Sequence, residues 1–486
     1  MPTAAHERKP RYKTSKRVFV DSIFWYDLET SGTSPKWDRV TQFAGLRTDL
    51  SLKETGEEYE TYVALPADVL PSPGAALVTG ITPQRIHNEG ISEWEAFRKI
   101  LTLFSRPGTC VAGYNSLRFD DEFTRYGLYR MLMDPYAREW QNGNSRWDLI
   151  DLGRAAHALR PEGINWPTAD GRPVFKLEAL TAENGIEHGA AHDAMSDVRA
   201  TVGFARCIRK HQPMLFEYYF KARAKRASRE LLEPIGRKLC VHVSGMYPHS
   251  QSNLAPVISL ARHPKNNNSY LIADLSQNIE PLLNWGVDEL REALFSAGAH
   301  ERPPLKEIRI NRCPFLSGAN VLRSQDLVRL NLSMAKIAAR QEQLLKANVG
   351  KKIAAVYARQ PSPEPADVDA ALYEGFLGDA DRAACEEFQS SLLNGVWPQS
   401  IVFKDDRLLE LSFRLKARCF PHLLTESEQR RWGEFVSEKL SSPSAPWLTL
   451  PKAREQLNEA SLSSSDAVLG ALDEHYGRLE LELGQM

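Results

Sequence analysis

The chain has 486 residues, is 42% hydrophobic and 25% charged, and carries a formal net charge of −1 at pH 7. That length accommodates about three globular domains with sizeable cores. A charge so near zero gives no global attraction for polyanions, so nucleic acid could be met only by local basic patches or bound metal. Six cysteines without a C-x-x-C pair argue against a zinc site or a disulfide framework and fit a reducing compartment. The basic opening MPTAAHERKPRYKTSKR (1–17) has no apolar run and reads as a disordered arm, not a signal peptide. No stretch approaches the roughly 20 apolar residues of a membrane span, so a cytoplasmic protein without membrane contact is expected.

Residues 18–212 read as one α/β domain. SIFWYDLE is a strand, and TQFAGLRTD and EEYETYVAL are two further strands, antiparallel neighbours. In ISEWEAFRKILTLF, Trp94, Phe97, Ile100, Leu101 and Phe104 recur at helical spacing. TCVAGYN is a short buried strand and DDEFTRYGLYRMLM a helix. RWDLIDLGRAAHAL, KLEALTAENG and DAMSDVRATVGFARCIRK complete a helix-rich second half. Strands first and helices later suggest a mixed sheet covered by helices.

Residues 213–358 open on a helical stretch rich in Lys and Arg, from Lys221 to Lys238, expected to line a groove at the junction or else to form a solvated face. LCVHVSG, APVISLAR, SYLIADL and EIRINRCPF then read as a small β-rich domain, followed by helix to 357. RQPSPEPADV holds three prolines in ten residues and marks a linker over 359–368. Residues 369–486 read as all-helical.

Residues two apart on a strand share a face, so Asp27 and Glu29 of FWYDLETSGT stand side by side. Buried carboxylates this close are costly when unpaired. A metal ion, an arginine or plain exposure would each resolve the conflict. Asp120 in GYNSLRFDDEFTR follows a buried strand at a helix start, where an Asp also serves as an ordinary N-cap. HGAAHDAMSDV places His192 before a helix and Asp197 in its first turns. A lone histidine has an equally plain reading as a surface or core residue. What sharpens these signals is their order: D-x-E-T on the first strand, an Asp after a central strand, then H-x4-D on a later helix.

This order resembles that of the DEDDh exonucleases. GYNSLRFDDEFTR, NSRWDLIDL, ALRPEGINWP, NGIEHGAAHDAMSDV, VHVSGMY and DADRAACEEF further resemble the bacterial exonuclease I family, across three separate stretches of the chain. The resemblance implies an α/β ribonuclease H-like exonuclease domain, a small SH3-like β domain and an all-helical C-terminal domain, in a monomer. It implies that Asp27, Glu29, Asp120 and Asp197 hold two Mg²⁺ ions, for which Mn²⁺ can substitute, and that His192 activates water. Two metals about 4 Å apart can neutralise the scissile phosphate, supply a hydroxide and stabilise the leaving oxygen, and Mg²⁺ prefers oxygen ligands. Asp27 would bridge the ions, Glu29 and Asp197 would hold the one carrying the attacking water, and Asp120 would support the second through water. His192 suits a general base because its unperturbed pKa lies near neutrality.

The same resemblance implies single-stranded DNA entering 3′ end first, in DNA repair and recombination. Glu29, Lys176, Arg125, Tyr136, Trp140 and Arg154 would face the strand, guanidinium groups toward phosphates and aromatic faces toward bases. Core packing is the plain alternative for Tyr136 and Trp140, and a solvated helix face for Arg125 and Arg154. Arg160, Tyr218 and Arg323 match positions that hold the acidic tail of single-stranded DNA-binding protein. Ser31 stands where relatives carry an aromatic, which would alter packing on the terminal base. The expected activity is a 3′→5′ exodeoxyribonuclease releasing 5′-mononucleotides. An RNA-directed DEDDh exonuclease is disfavoured by the long C-terminal extension, and a non-catalytic single-stranded DNA-binding scaffold by the five intact positions.

Overall fold

The computed structural model describes residues 21–189, 193–296, 302–358, 367–462 and 464–484. The basic arm over 1–17, most of the linker and His192 lie outside the described residues. The first sheet has the order β3-β2-β1-β4-β5, with β1 at Ser22–Thr30, β2 at Val40–Thr48, β3 at Glu54–Tyr62, β4 at Thr109–Gly113 and β5 at Ser145–Asp148. The first three strands pair antiparallel, whereas β4 and β5 run parallel to β1. Alternation along β1 divides its apolar side chains between two cores. Ile23 and Trp25 pack with Trp147, Val198 and Phe204 on one face, and Phe24, Tyr26 and Leu28 pack with Phe97, Phe104 and Phe123 on the other. The face that holds Trp25 is therefore the face from which Asp27 and Glu29 project.

Helices α1 (Pro73–Thr79), α2 (Pro83–Glu89), α3 (Glu93–Ser105), α4 (Asp120–Arg130), α5 (Leu149–Leu159), α6 (Leu177–Glu183) and α7 (Ala194–His211) complete this domain. RWDLIDLGRAAHAL is not one helix as expected. Its first residues form the edge strand β5, and Asp148 then caps α5 by accepting from the amide of Ile150. Four residues are too few for periodicity to separate a strand from a helix. A two-residue hairpin, β6 (Thr168–Ala169) with β7 (Arg172–Pro173), precedes α6.

The basic run folds as two helices, α8 (Pro213–Ala222) and α9 (Lys225–Leu232), at the junction with the second sheet. Not all of its cations face water. The Arg223 guanidinium lies 4.0 Å from the Phe220 ring centroid and donates to Ser145 Oγ, while Arg226 is solvated and paired with Glu230. The second sheet is antiparallel with the order β11-β10-β9-β8-β12: β8 Cys240–Val243, β9 Leu254–Arg262, β10 Ser269–Asp274, β11 Leu305–Arg309 and β12 Phe315–Gly318. EIRINRCPF, expected as one strand, is two. A 3-10 turn over Ile310–Arg312 and a left-handed Cys313 (φ 44°) carry the chain from one edge of the sheet to the other. Tyr219 on α8 donates to the Cys313 carbonyl, and Trp147 of β5 packs on Phe216, Tyr219 and Phe220, joining the two domains.

Beyond residue 366 the chain is helical, with long helices at Asp379–Leu393, Asp406–Cys419, Glu426–Ser441, Leu450–Ser461 and Ala467–Gly484. These pack back on the exonuclease domain through a buried ion network. Asp369 meets Arg39 at 3.1 Å and Arg418 at 2.6 Å, and Asp68 meets Arg418 and Lys439, each at 2.6 Å. Burial alone would raise the Asp369 carboxyl, but Arg418 and Arg39 overcome it and hold it well below the usual range. Breaking a buried pair by removing one partner costs about 3–5 kcal/mol. Asp369→Asn should lower global stability by that order in urea unfolding; a loss under about 1 kcal/mol would show that water replaces the carboxylate.

Candidate active site

The site forms where β1, α4 and α7 converge. Asp27, Glu29 and Asp197 each offer an oxygen, and the three oxygens lie within 4.8 Å of one another. β1 supplies the first two by its alternation. α7 supplies Asp197 from its first turn, which Asp193 caps by accepting from the amide of Ser196. Asp120 reaches the site differently: its Oδ1 accepts from the backbone amide of Leu28 at 3.1 Å, between the two strand carboxylates. Asp148 organises the turn leading to it, accepting from the amides of Asn115 and Leu117.

The plain N-cap reading fails for Asp120 and for Asp121. Phe119 occupies the cap without a side-chain bond, and both aspartates lie inside the first turn of α4. They also differ from each other. Asp121 faces Arg138 and Arg146, which overcome burial and hold its carboxyl low. It is a structural ion-pair partner. Asp120 faces the site.

At Asp27, Glu29 and Asp120 the carboxyl pKa is raised in each case. Burial, then Asp120 and Asp197, push Asp27 well above the ordinary carboxylate range. Glu29 is pushed up to about 9 by burial, then by Asp27, Asp197 and Asp193. Burial also raises Asp120. Two like charges about 4 Å apart repel by about 4 kcal/mol at an effective dielectric near 20. Of the three solutions open from sequence, arginine pairing does not act on Asp27 or Glu29 among the described residues, and exposure is partial. The oxygen-only donor set, crowded and half-buried to buried, suits a hard divalent cation.

A carboxyl whose pKa is higher folded than unfolded keeps its proton more tightly when folded. That contribution is complete below about pH 4 and is lost as the pH climbs toward the raised folded value. In EDTA, the Tm of Asp27→Asn should exceed that of the parent chain by a margin that widens between about pH 5 and 9. The rise in Tm on adding Mg²⁺ should grow over the same interval, because ligands must be deprotonated to bind. A constant margin would mean that the carboxylates do not interact.

The positions expected to face a strand are placed unequally. Lys176 is exposed just before α6. Trp140 is 63% exposed, which removes the core-packing alternative, and Tyr136 is half-buried against Phe376. Arg125 is not on a solvated face: it is 5% exposed, forked on Glu139 at 2.7 and 3.0 Å and bonded to Glu122 and Tyr373. Arg154 is partly buried, with Nη1 on Asp151 and its guanidinium against Gly245 of the second domain. Arg160 and Arg323 converge on the buried Asp326, which Arg329 also approaches, and Tyr218 donates to Leu316 on the adjoining strand. Ser31 is buried and exchanges two bonds with the backbone of Arg39. His188, not singled out in the sequence, lies 2.5 Å from Asp197.

An exonuclease family model matches residues 24–204, an exonuclease I SH3-like domain 223–359 and an exonuclease I C-terminal domain 366–477. The chain is 44% identical over 421 residues to exodeoxyribonuclease I of Escherichia coli K12, covering 85% of this chain and 88% of the relative. The Haemophilus influenzae enzyme is 42% identical over 434 residues, covering 86% and 90%. The chain belongs to the exodeoxyribonuclease I family. Its architecture is accordingly the exodeoxyribonuclease I one, an exonuclease domain, an SH3-like domain and a helical domain in that order, and it is an enzyme. Escherichia coli exonuclease I in complex with a dA16 oligonucleotide superposes with a TM-score of 0.89 at 40% identity, covering 94% of this chain and 99% of that one. A zinc-bound exonuclease I complex with single-stranded DNA has a TM-score of 0.88, and an SSB/exonuclease I complex with an inhibitor 0.85, both at 40% identity and the same coverage.

Proposed function

We propose that this exodeoxyribonuclease acts on single-stranded DNA from the 3′ end and releases 5′-mononucleotides, in DNA repair and recombination. The observation that carries the reading is the convergence of Asp27, Glu29 and Asp197 within 4.8 Å, with burial and carboxylates among the described residues raising Asp27 and Glu29. Asp27, Glu29, Asp120 and Asp197 would hold two Mg²⁺ ions, with Mn²⁺ as a substitute. When bound, such ions neutralise the scissile phosphate and acidify a water molecule. Asp27 would serve both ions, Glu29 and Asp197 would hold one, and Asp120, which accepts from the Leu28 amide, would support the other. His192 accepts the proton of the attacking water. The water oxygen bonds to phosphorus as the P–O3′ bond breaks, so the phosphate stays on the 5′ oxygen of the released nucleotide, and O3′ remains on the shortened strand, taking a proton from solvent to become its new 3′ hydroxyl.

Strand binding by the relatives in the dA16 and zinc complexes supports assigning Lys176, Tyr136, Trp140 and Arg154 to the substrate. Arg125 would act there through Tyr136, whose ring its guanidinium faces at 5.6 Å, because its own fork is filled by Glu139. The SSB complex of a relative supports an acidic tail as a partner at Arg160, Tyr218 and Arg323. Three arginines there meet two carboxylates, Asp326 and Glu162, which leaves one positive charge in excess. The three matched segments support domain divisions near 212 and across 359–368.

Digestion of 3′-labelled and 5′-labelled single strands, with Mg²⁺ or EDTA, tests the reading. The 3′ label should appear at once as mononucleotide, and the 5′ label only at the end of digestion. Early release of the 5′ label, or cleavage in EDTA, would overturn it. An RNA strand of the same sequence should resist.

A further inference from the structure

His188 sits between α6 and α7, on a segment that leaves α6 through Gly185 in the left-handed region (φ 61°). Its side chain is 7% exposed, and both ring nitrogens are engaged. Nε2 lies 2.5 Å from Asp197 Oδ1, and Nδ1 lies 3.0 Å from Thr181 Oγ1. Thr181 is fully buried in α6, and its hydroxyl also reaches the carbonyls of Leu177 and Glu178. Opposite a carboxylate, a bare Nε2 would set lone pair against lone pair. The contact is therefore a hydrogen bond through one shared proton, while Thr181 stops the ring from turning.

Asp197 needs such a hold. The terminal torsion of an aspartate is broad and roughly two-fold, so a helix position alone does not decide where its oxygens point. Yet one Asp197 oxygen must stay within 4.8 Å of oxygens on Asp27 and Glu29, against their repulsion. A bond from His188 to Oδ1 fixes that torsion, and with it where both oxygens of Asp197 lie.

We infer that His188, held by Thr181, is a positioning residue that aims the Asp197 carboxylate at the metal pair. The inference rests on the reading of Asp197 as a metal ligand. A histidine that only tied the loop to α7 would leave metal affinity untouched, whereas partners that orient a ligand are worth about 10–100-fold in metal affinity.

The test is Mn²⁺ binding without DNA, followed by the electron paramagnetic resonance signal of the free ion, on the full chain. His188→Leu keeps the bulk and removes the donor, and should weaken Mn²⁺ by about 10–100-fold. His188→Gln retains a donating amide and should recover most of the loss. Asp197→Asn serves as the reference for the ligand itself. Wild-type affinity in Asp197→Asn would remove the ligand reading. Lost affinity there with wild-type affinity in His188→Leu would overturn the His188 role alone. Equal losses in the Leu and Gln variants would also overturn it. Should His188→Leu fail to fold, Thr181→Val, which leaves the imidazole but releases its far nitrogen, carries the test. It should weaken Mn²⁺, and unchanged affinity would overturn the inference.

Discussion

Asp27→Ala and Asp197→Ala should each abolish nearly all Mg²⁺-dependent digestion of a labelled single strand while the fold survives. Both side chains belong to the cluster of oxygens within 4.8 Å, and neither fills a core. The loss should exceed the about 100-fold that follows when only a ligand's supporting partner is removed, because the charge that holds the cation goes with it. The metal-free Asp27→Ala variant should also melt higher than the parent. Burial and neighbouring carboxylates already raise Asp27, so its deletion relieves a repulsion. Gel assays at saturating Mg²⁺ and melting curves in EDTA check the two halves independently. Substantial cleavage by both variants would end the assignment, and a large fall in metal-free Tm would show that the carboxylates had been structural.

His192→Ala should lose about 10²–10⁴-fold in turnover, the usual contribution of a general base. Mn²⁺ affinity stays near the parent value, because His192 is not placed among the ligands. The residual rate climbs with pH, since hydroxide supplies what the imidazole no longer removes. Single-turnover rates on a short oligonucleotide, taken across a pH series, separate this role from binding. A flat profile in the variant, or weakened metal, would reassign the residue. His188 gives the contrasting case: its loss should be visible in metal affinity first.

What could be read from sequence followed from local pattern. β1 was legible because alternation assigns Phe24, Tyr26 and Leu28 to one face and Trp25, Asp27 and Glu29 to the other. The domain order and the site residues came from motifs whose spacing is local or whose order is fixed. What escaped was decided by distant partners. Arg125 looked like a surface residue because Glu139 and Tyr373, which bury it, lie 14 and 248 positions away. Asp120 and Asp121 are adjacent and chemically alike, and only Arg138 and Arg146 tell them apart. His188 stands nine residues before Asp197 across a turn, a separation that neither helical nor strand periodicity marks.

The ion network under the helical domain bears on how this enzyme can be divided. Arg39 exchanges backbone and side-chain bonds with Ser31, two residues past Glu29, while its guanidinium is spent on Asp369. The loop that closes the catalytic strand is thus braced from the far end of the polypeptide. A gene fragment stopping near residue 358 would leave Arg39 without Asp369 and Asp68 without Arg418 and Lys439, and would bare Leu70 and Ala76, which now pack on Leu450, Ala453 and Leu472. Such a fragment should be insoluble or inert, however complete its catalytic motif. The exonuclease domain of this chain is not a portable cassette: recombination at its boundary would have to bring the C-terminal helices along.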